Sequence, residues 1–106
     1  MFLKPDTQRS NTFFDDYLEI WVDAFISDRK ARGYSKATIG FYLDKMKLFS
    51  KYADSIALKQ VGDITPQVIR EYLLWLDLRG HTVRGKHAAI RGLRTFLLWY
   101  VSSSQN

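Results

Sequence analysis

The stretch SKATIGFYLDKMKLFSKYA, residues 35–53, decides the fold of this chain. Ile39, Tyr42, Leu43, Met46, Phe49 and Ala53 return at steps of three and four residues, which places them on one side of an α-helix. Ser35 stands before them as an N-cap, directly after the Gly33-Tyr34 break. Phe41, Leu48 and Tyr52 make a second, narrower apolar stripe. A helix with two apolar sides is either sandwiched within its fold or keeps one side for a partner.

Upstream, a helix is predicted from Asn11 or Thr12 to Gly33. Thr12 serves as its cap, and Asp15, Asp16 and Glu19 suit the positive end of the helix dipole. Phe14, Tyr17, Leu18, Trp21, Val22 and Phe25 share its apolar face, and Gly33 can take the left-handed closing conformation. Downstream, 54–63 reads as a connection anchored by Ile56, Leu58 and Val61. Thr65-Pro66 then announces a third helix by a capping hydroxyl followed by proline at the first helical position. Ile64 and Ile69 are spaced as a hydrophobic staple, Tyr72, Leu73 and Leu76 continue the stripe, and Gly80 closes it. A fourth helix runs from a Thr82 cap to about Val101, with Ile90, Leu93, Phe96, Leu97 and Tyr100 on its apolar side. Gly85 and Gly92 are costly in a helix interior, and glycine there lets another backbone come close. No segment alternates with the period of a strand. The expectation is an all-α domain of four helices around one core.

With 106 residues the chain has the length of one domain. It has no cysteine, which excludes disulfides, thiol nucleophiles and Cys-ligated metal sites. No apolar run reaches membrane-span length and the first residues lack a signal peptide's apolar stretch, so a cytoplasmic protein is expected. His81 and His87, six residues apart, cannot share a helix face, and no serine has a partner histidine at a catalytic spacing. The segment from Gly80 to Lys86 does not have the spacing of a phosphate loop. No metal or cofactor is expected, and the sequence does not read as an enzyme.

Charge is the remaining signal. The chain carries 16 basic and 11 acidic residues, a net +5. From Leu78 onward stand Arg79, Arg84, Lys86, Arg91 and Arg94 with no carboxylate, so the whole excess lies there. Arg84, His87, Arg91 and Arg94 gather on one side of the fourth helix, away from its apolar stripe. A one-signed helix face attracts a polyanion, of which nucleic acid is the obvious example, although charge runs also serve as solvated surface.

Ser35-x-x-Thr38-Ile39-x-x-Tyr42-x-x-x-Met46-x-x-Phe49 resembles the signature of the N-terminal core-binding domain of tyrosine recombinases, the phage integrase family. The frame continues with Ile64-Thr65, Ile69, Tyr72, Leu73, Leu76 and Gly80, then Ile90, Leu93-Arg94-Thr95-Phe96 and Trp99-Tyr100, and covers roughly residues 12–101. The resemblance implies a four-helix orthogonal bundle of the SAM-like kind that clamps duplex DNA at a recombination core site. Its second and fourth helices would approach the major groove. Residues 1–11 would be a flexible tail, 12–101 the DNA-binding domain, and 102–106 the start of a linker to a C-terminal catalytic domain in a longer polypeptide. That separate domain would carry the catalytic arginines, the His-x-x-Arg motif and the nucleophilic tyrosine, so this chain alone would cut nothing. Partners would be double-stranded DNA, the catalytic domain and other recombinase protomers.

By position in the family, Lys36 and Thr38 fall on phosphate contacts, which a helix N-terminus with a hydroxyl also suits physically. Arg84 and Arg91 fall on the DNA-facing side with His87 beside them, and Lys86, Arg94 and the helix-two lysines Lys45 and Lys47 add to the candidate set. The chain departs from the family pattern at Gly85, Ala88 and Ala89, where Ser or Thr followed by basic residues is common. Two other readings are open at this point. One is a helix-turn-helix-type regulator, the other a helical protein-interaction module using Phe41, Leu48 and Tyr52.

Overall fold

A computed structural model of the protein describes residues 16–104. Four α-helices follow one another: α1 (Leu18–Ala31), α2 (Lys36–Ser55), α3 (Pro66–Leu78) and α4 (Val83–Ser104), with a 3-10 turn at Val61–Asp63. Among the described residues there is no strand, and one isolated bridge joins Tyr17 to Gln60. The domain is all-α.

The starts of α2, α3 and α4 are where the capping chemistry puts them. Ser35 Oγ accepts the Thr38 N–H at 3.1 Å at the start of α2, and Thr65 Oγ1 accepts the Val68 N–H at 3.2 Å at the start of α3. Thr82 Oγ1 accepts the Gly85 N–H at 3.0 Å at the start of α4. Gly33 (φ +80°) and Gly80 (φ +86°) adopt the left-handed conformation beyond α1 and α3. The end of α2 uses Ala57 in that role, at φ +57°. There the Leu58 N–H reaches Ala53 O at 2.9 Å and the Ala57 N–H reaches Asp54 O at 3.2 Å, a Schellman closure without glycine. α4 continues to Ser104, so Ser102–Ser104 extend the helix beyond the expected end at Val101.

The start of α1 departs from expectation. Thr12, Phe14 and Asp15 lie outside the described residues, but Asp16 and Tyr17 precede the helix and do not belong to its first turns. Asp16 therefore stands ahead of the α1 N-cap rather than in the first turn, with its polar groups engaged elsewhere. Its backbone oxygen accepts the Val61 N–H at 2.9 Å, and its carboxylate accepts the Gly62 N–H at 3.2 Å and the Tyr100 hydroxyl. The Leu18 N–H donates to Lys59 O at 2.8 Å. One acidic residue thus ties the chain entering α1 to the α2–α3 connection and to the last turns of α4.

Ionising Tyr100 would break the bond to Asp16 and set two anions together, and the hydroxyl is pushed up to about 12. A folded-state value above the usual tyrosine value of about 10 stabilises the fold fully below pH ~10, and that stabilisation is lost as pH rises through about 12. The stability difference between wild type and Tyr100→Phe is therefore expected to be constant up to about pH 10 and to shrink toward pH 12, read from urea midpoints.

Tyr72, Phe25, Phe49, Phe96, Met46, Leu76 and Leu93 are the largest fully buried side chains, and they come from all four helices. α2 is the hub, packing on α1, α3 and α4, with its broadest contact on α4. Aromatic rings meet edge-on through the core: Phe25 lies 5.4 Å from Tyr42 and 5.5 Å from Phe96, and Phe49 lies 5.0 Å from Tyr72. The Tyr72 hydroxyl is buried with no hydrogen-bond partner among the described residues, and burial pushes its ionisation well above the usual tyrosine range.

Three apolar assignments change. Leu43, placed on the core stripe, is exposed, because it sits at the edge of the face that Met46 and Phe49 define. Ile56 does not anchor the connection but lies in the solvated turn after α2, while Leu58 and Val61 are buried as expected. The stripe of Phe41, Leu48 and Tyr52 is not a free face. Tyr52 is buried among Phe49, Tyr72 and Trp75, and Leu48 packs partly buried against the core. Phe41 lies half-buried at the α4 contact. α2 is sandwiched, and the reading in which these three side chains await a protein partner loses its surface.

Candidate nucleic-acid interface

The close crossing of α2 and α4 builds the site. Gly92 is buried there, and a Cβ on it would lie 2.6 Å from Lys45 Cβ and 2.9 Å from Lys45 Cγ. Glycine is required by the approach of the α2 side chains, which brings the outer edges of both helices onto one surface. Gly85 is a different case. It is the third residue of α4, under the Thr82 cap, and lies outside the helix interior.

At the crossing, two of the candidate cations lie over the Phe41 ring. Arg91 Cζ lies 5.0 Å from the ring centroid and Lys45 Nζ lies 5.4 Å from it. Among the described residues neither cation is in a salt bridge with a carboxylate. Next to them, a groove of about 380 Å³ is lined by Asp44, Lys45, Lys47, Leu48, Lys51 and His81. Lys51 was not singled out from the sequence, and His81 was weighed there only alongside His87 and not as part of a basic face. Lys51 follows Lys47 by one helical turn, a spacing that carries the signal, whereas His81 arrives through the α3–α4 turn, which no periodicity reveals.

The other candidates are distributed unevenly. Arg84 and His87 are exposed on the first turns of α4. Lys86 is engaged: its Nζ lies 3.0 Å from Asp77 Oδ1 on α3. Arg79 is held as well, 4.5 Å over the Trp75 ring, so two of the five C-terminal cations are tied to α3. Arg94 is exposed but borders a separate apolar groove of about 250 Å³ with Ile69, Ile90, Leu97, Leu98 and Val101. It does not join the Phe41 pair. Lys36 opens α2 in solvent, and Thr38 is half-buried with its Oγ1 accepting from Ser35 Oγ at 3.0 Å.

Nearby, Arg29 fixes the lead-in to α2. It is buried, lies 5.1 Å from the Phe25 ring and 4.9 Å from the Tyr34 ring, and pairs with Asp28 at 2.7 Å. That hydrogen bond from Arg29 holds the Asp28 carboxyl below the usual carboxylate range. The α2 N-terminus is thereby set against the end of α1.

The chain does contain one tetrapeptide of His-x-x-Arg spacing, His81-Thr82-Val83-Arg84, contrary to the expectation that the motif belongs only to a separate domain. Its geometry is that of a helix entry. His81 Nδ1 lies 3.2 Å from Leu76 O, Thr82 caps α4, and Arg84 faces solvent. Among the described residues no group of three or more metal-ligating side chains gathers, and no helix is long and apolar enough to cross a membrane.

Over residues 22–100 the sequence matches the family described as phage integrase, N-terminal SAM-like domain, and the chain belongs to that family. No curated protein and no solved structure matches it.

Proposed function

We propose that this chain binds duplex DNA through the face made by α2 and α4, as the core-binding part of a tyrosine recombinase. The observation that carries the reading is the outward side of α4, which exposes Arg84, His87 and Arg91 within a segment free of carboxylates. Lys45 shares the Phe41 ring with Arg91, and Lys47 and Lys51 border the adjoining groove. Lys36 and Thr38 at the α2 N-terminus add a phosphate contact of the kind helix amides favour. Lys86, paired with Asp77, contributes less, and Arg94 lies toward the flank. In this reading DNA cleavage belongs to a separate catalytic domain. That domain and neighbouring protomers on the same DNA are the protein partners, and the setting is the cytoplasm.

About five phosphate contacts give a log–log dependence of affinity on salt with a slope near −4.5, and a lone half-clamp binds in the non-specific range of about 10⁻⁴ to 10⁻⁶ M. The test is an amide-resolved NMR titration with a short arbitrary duplex at about 50 and 200 mM salt. Shifts are expected to cluster at Lys36–Lys51 and Arg84–Arg91 and to fade at the higher salt. An unperturbed spectrum at the lower salt would sink the reading.

A further inference from the structure

Two cations on one aromatic ring are an unusual use of a half-buried phenylalanine. Arg91 and Lys45 approach Phe41 from different helices, at 5.0 and 5.4 Å, and like charges so placed repel one another. No carboxylate neutralises either within the described residues, although Asp44 is the immediate neighbour of Lys45 in the sequence. Each charge is instead held by the ring's negative face. Lys45 is restrained further, because its Cβ and Cγ are seated on Gly92. The side chains of lysine and arginine have many rotamers, and fixing them beforehand lowers what an incoming anion must supply.

We propose that Phe41 is a positioning residue for DNA binding: its ring holds Arg91 and Lys45 as a pre-set pair that one backbone phosphate of duplex DNA bridges. The inference rests on the DNA-binding reading of this face and narrows it to a defined contact. A phosphate fits better than a base edge because the pair carries two uncompensated positive charges, and a phosphodiester brings the countercharge that a guanine edge does not. The contact therefore strengthens binding without regard to sequence.

The experiment compares the full chain with Phe41→Leu, Phe41→Tyr, and Lys45→Gln/Arg91→Gln with and without Phe41→Leu, on several unrelated duplexes. Phe41→Leu is expected to weaken binding about 3–10-fold, the worth of one or two ring–cation contacts, and equally on every duplex. Phe41→Tyr keeps the ring and stays within about 2-fold of wild type. In the double-Gln background, Phe41→Leu has no further effect. A readout independent of DNA is the ring-current shift of the Arg91 side-chain protons in the free protein, present in wild type and Phe41→Tyr and lost in Phe41→Leu. The proposal is overturned if folded Phe41→Leu binds like wild type, if its loss persists in the double-Gln background, or if the loss is confined to one duplex sequence. If wild type itself binds no duplex, the DNA reading fails first and takes this inference with it.

Discussion

Gly92→Ala destabilises the domain by about 1–2 kcal/mol, while Gly85→Ala leaves its stability within about 0.5 kcal/mol of wild type. Both changes remove a glycine from the same helix and gain up to about 1 kcal/mol of helix propensity. Their surroundings decide the sign. At position 92 the new Cβ meets Lys45 Cβ at 2.6 Å, far inside the ordinary carbon–carbon separation of about 3.5–4.0 Å, and Cβ is not the far end of a flexible side chain. Relief requires α2 and α4 to move apart at their broadest contact, next to Phe96, Leu93 and Met46. Overpacking of this kind costs about 1–3 kcal/mol. At position 85 the tightest neighbour is the Thr82 hydroxyl oxygen at 3.3 Å, which a small rotation relieves. The check is a urea midpoint at constant slope. Gly92→Leu, which adds three further carbons to the same crossing, is expected to leave the chain unfolded.

That crossing shows what the sequence could and could not convey. Helix starts were legible because Ser35, Thr65 and Thr82 are local signals: a hydroxyl one residue before a periodic apolar run has few other uses. Gly33 and Gly80 were legible as helix stops for the same reason. Ala57 closes α2 in a conformation that its residue type does not announce, so the end of that helix and the fate of Ile56 were not readable. Asp16 was misplaced because an acidic residue ahead of an apolar run has two readings. The deciding partners, Gly62 and Tyr100, lie 46 and 84 residues away. The basic side of α4 could be read from helical spacing, since Arg84, His87 and Arg91 share it. Spacing along one helix says nothing about Lys45 and Phe41 on another, nor that Asp77 takes Lys86 out of the set. Tertiary contact sorted the cations into held, paired and free.

If the α2–α4 face binds DNA as proposed, Arg91→Glu is expected to weaken binding at least 10-fold at about 50 mM salt and to lower the salt slope by about one to two, because a phosphate contact would be lost and a carboxylate would face the backbone in its place. Arg70→Glu makes the same change in net charge on the outer side of α3, where Arg70 is exposed and donates to Gln67 at 2.7 Å. It is expected to weaken binding less than 3-fold, since an exposed charge on α3 makes no contact with DNA held on the α2–α4 face and acts only through a field that salt screens. The pair separates two explanations for a basic domain's affinity. If binding followed net charge alone, both reversals would act equally and the α2–α4 face would have no special standing. If binding is local, only the reversal at the crossing matters, and the effect diminishes as salt rises because the lost term is counterion release. Fluorescence anisotropy on one labelled duplex across salt gives both numbers from the same titrations. Folding is not the confounder, because Arg91 is exposed and its contact with Phe41 is at the rim of the core. An equal loss for both variants would leave the basic helix as a generally cationic surface. A loss confined to Arg91→Glu assigns the contact to the place where α2 and α4 meet.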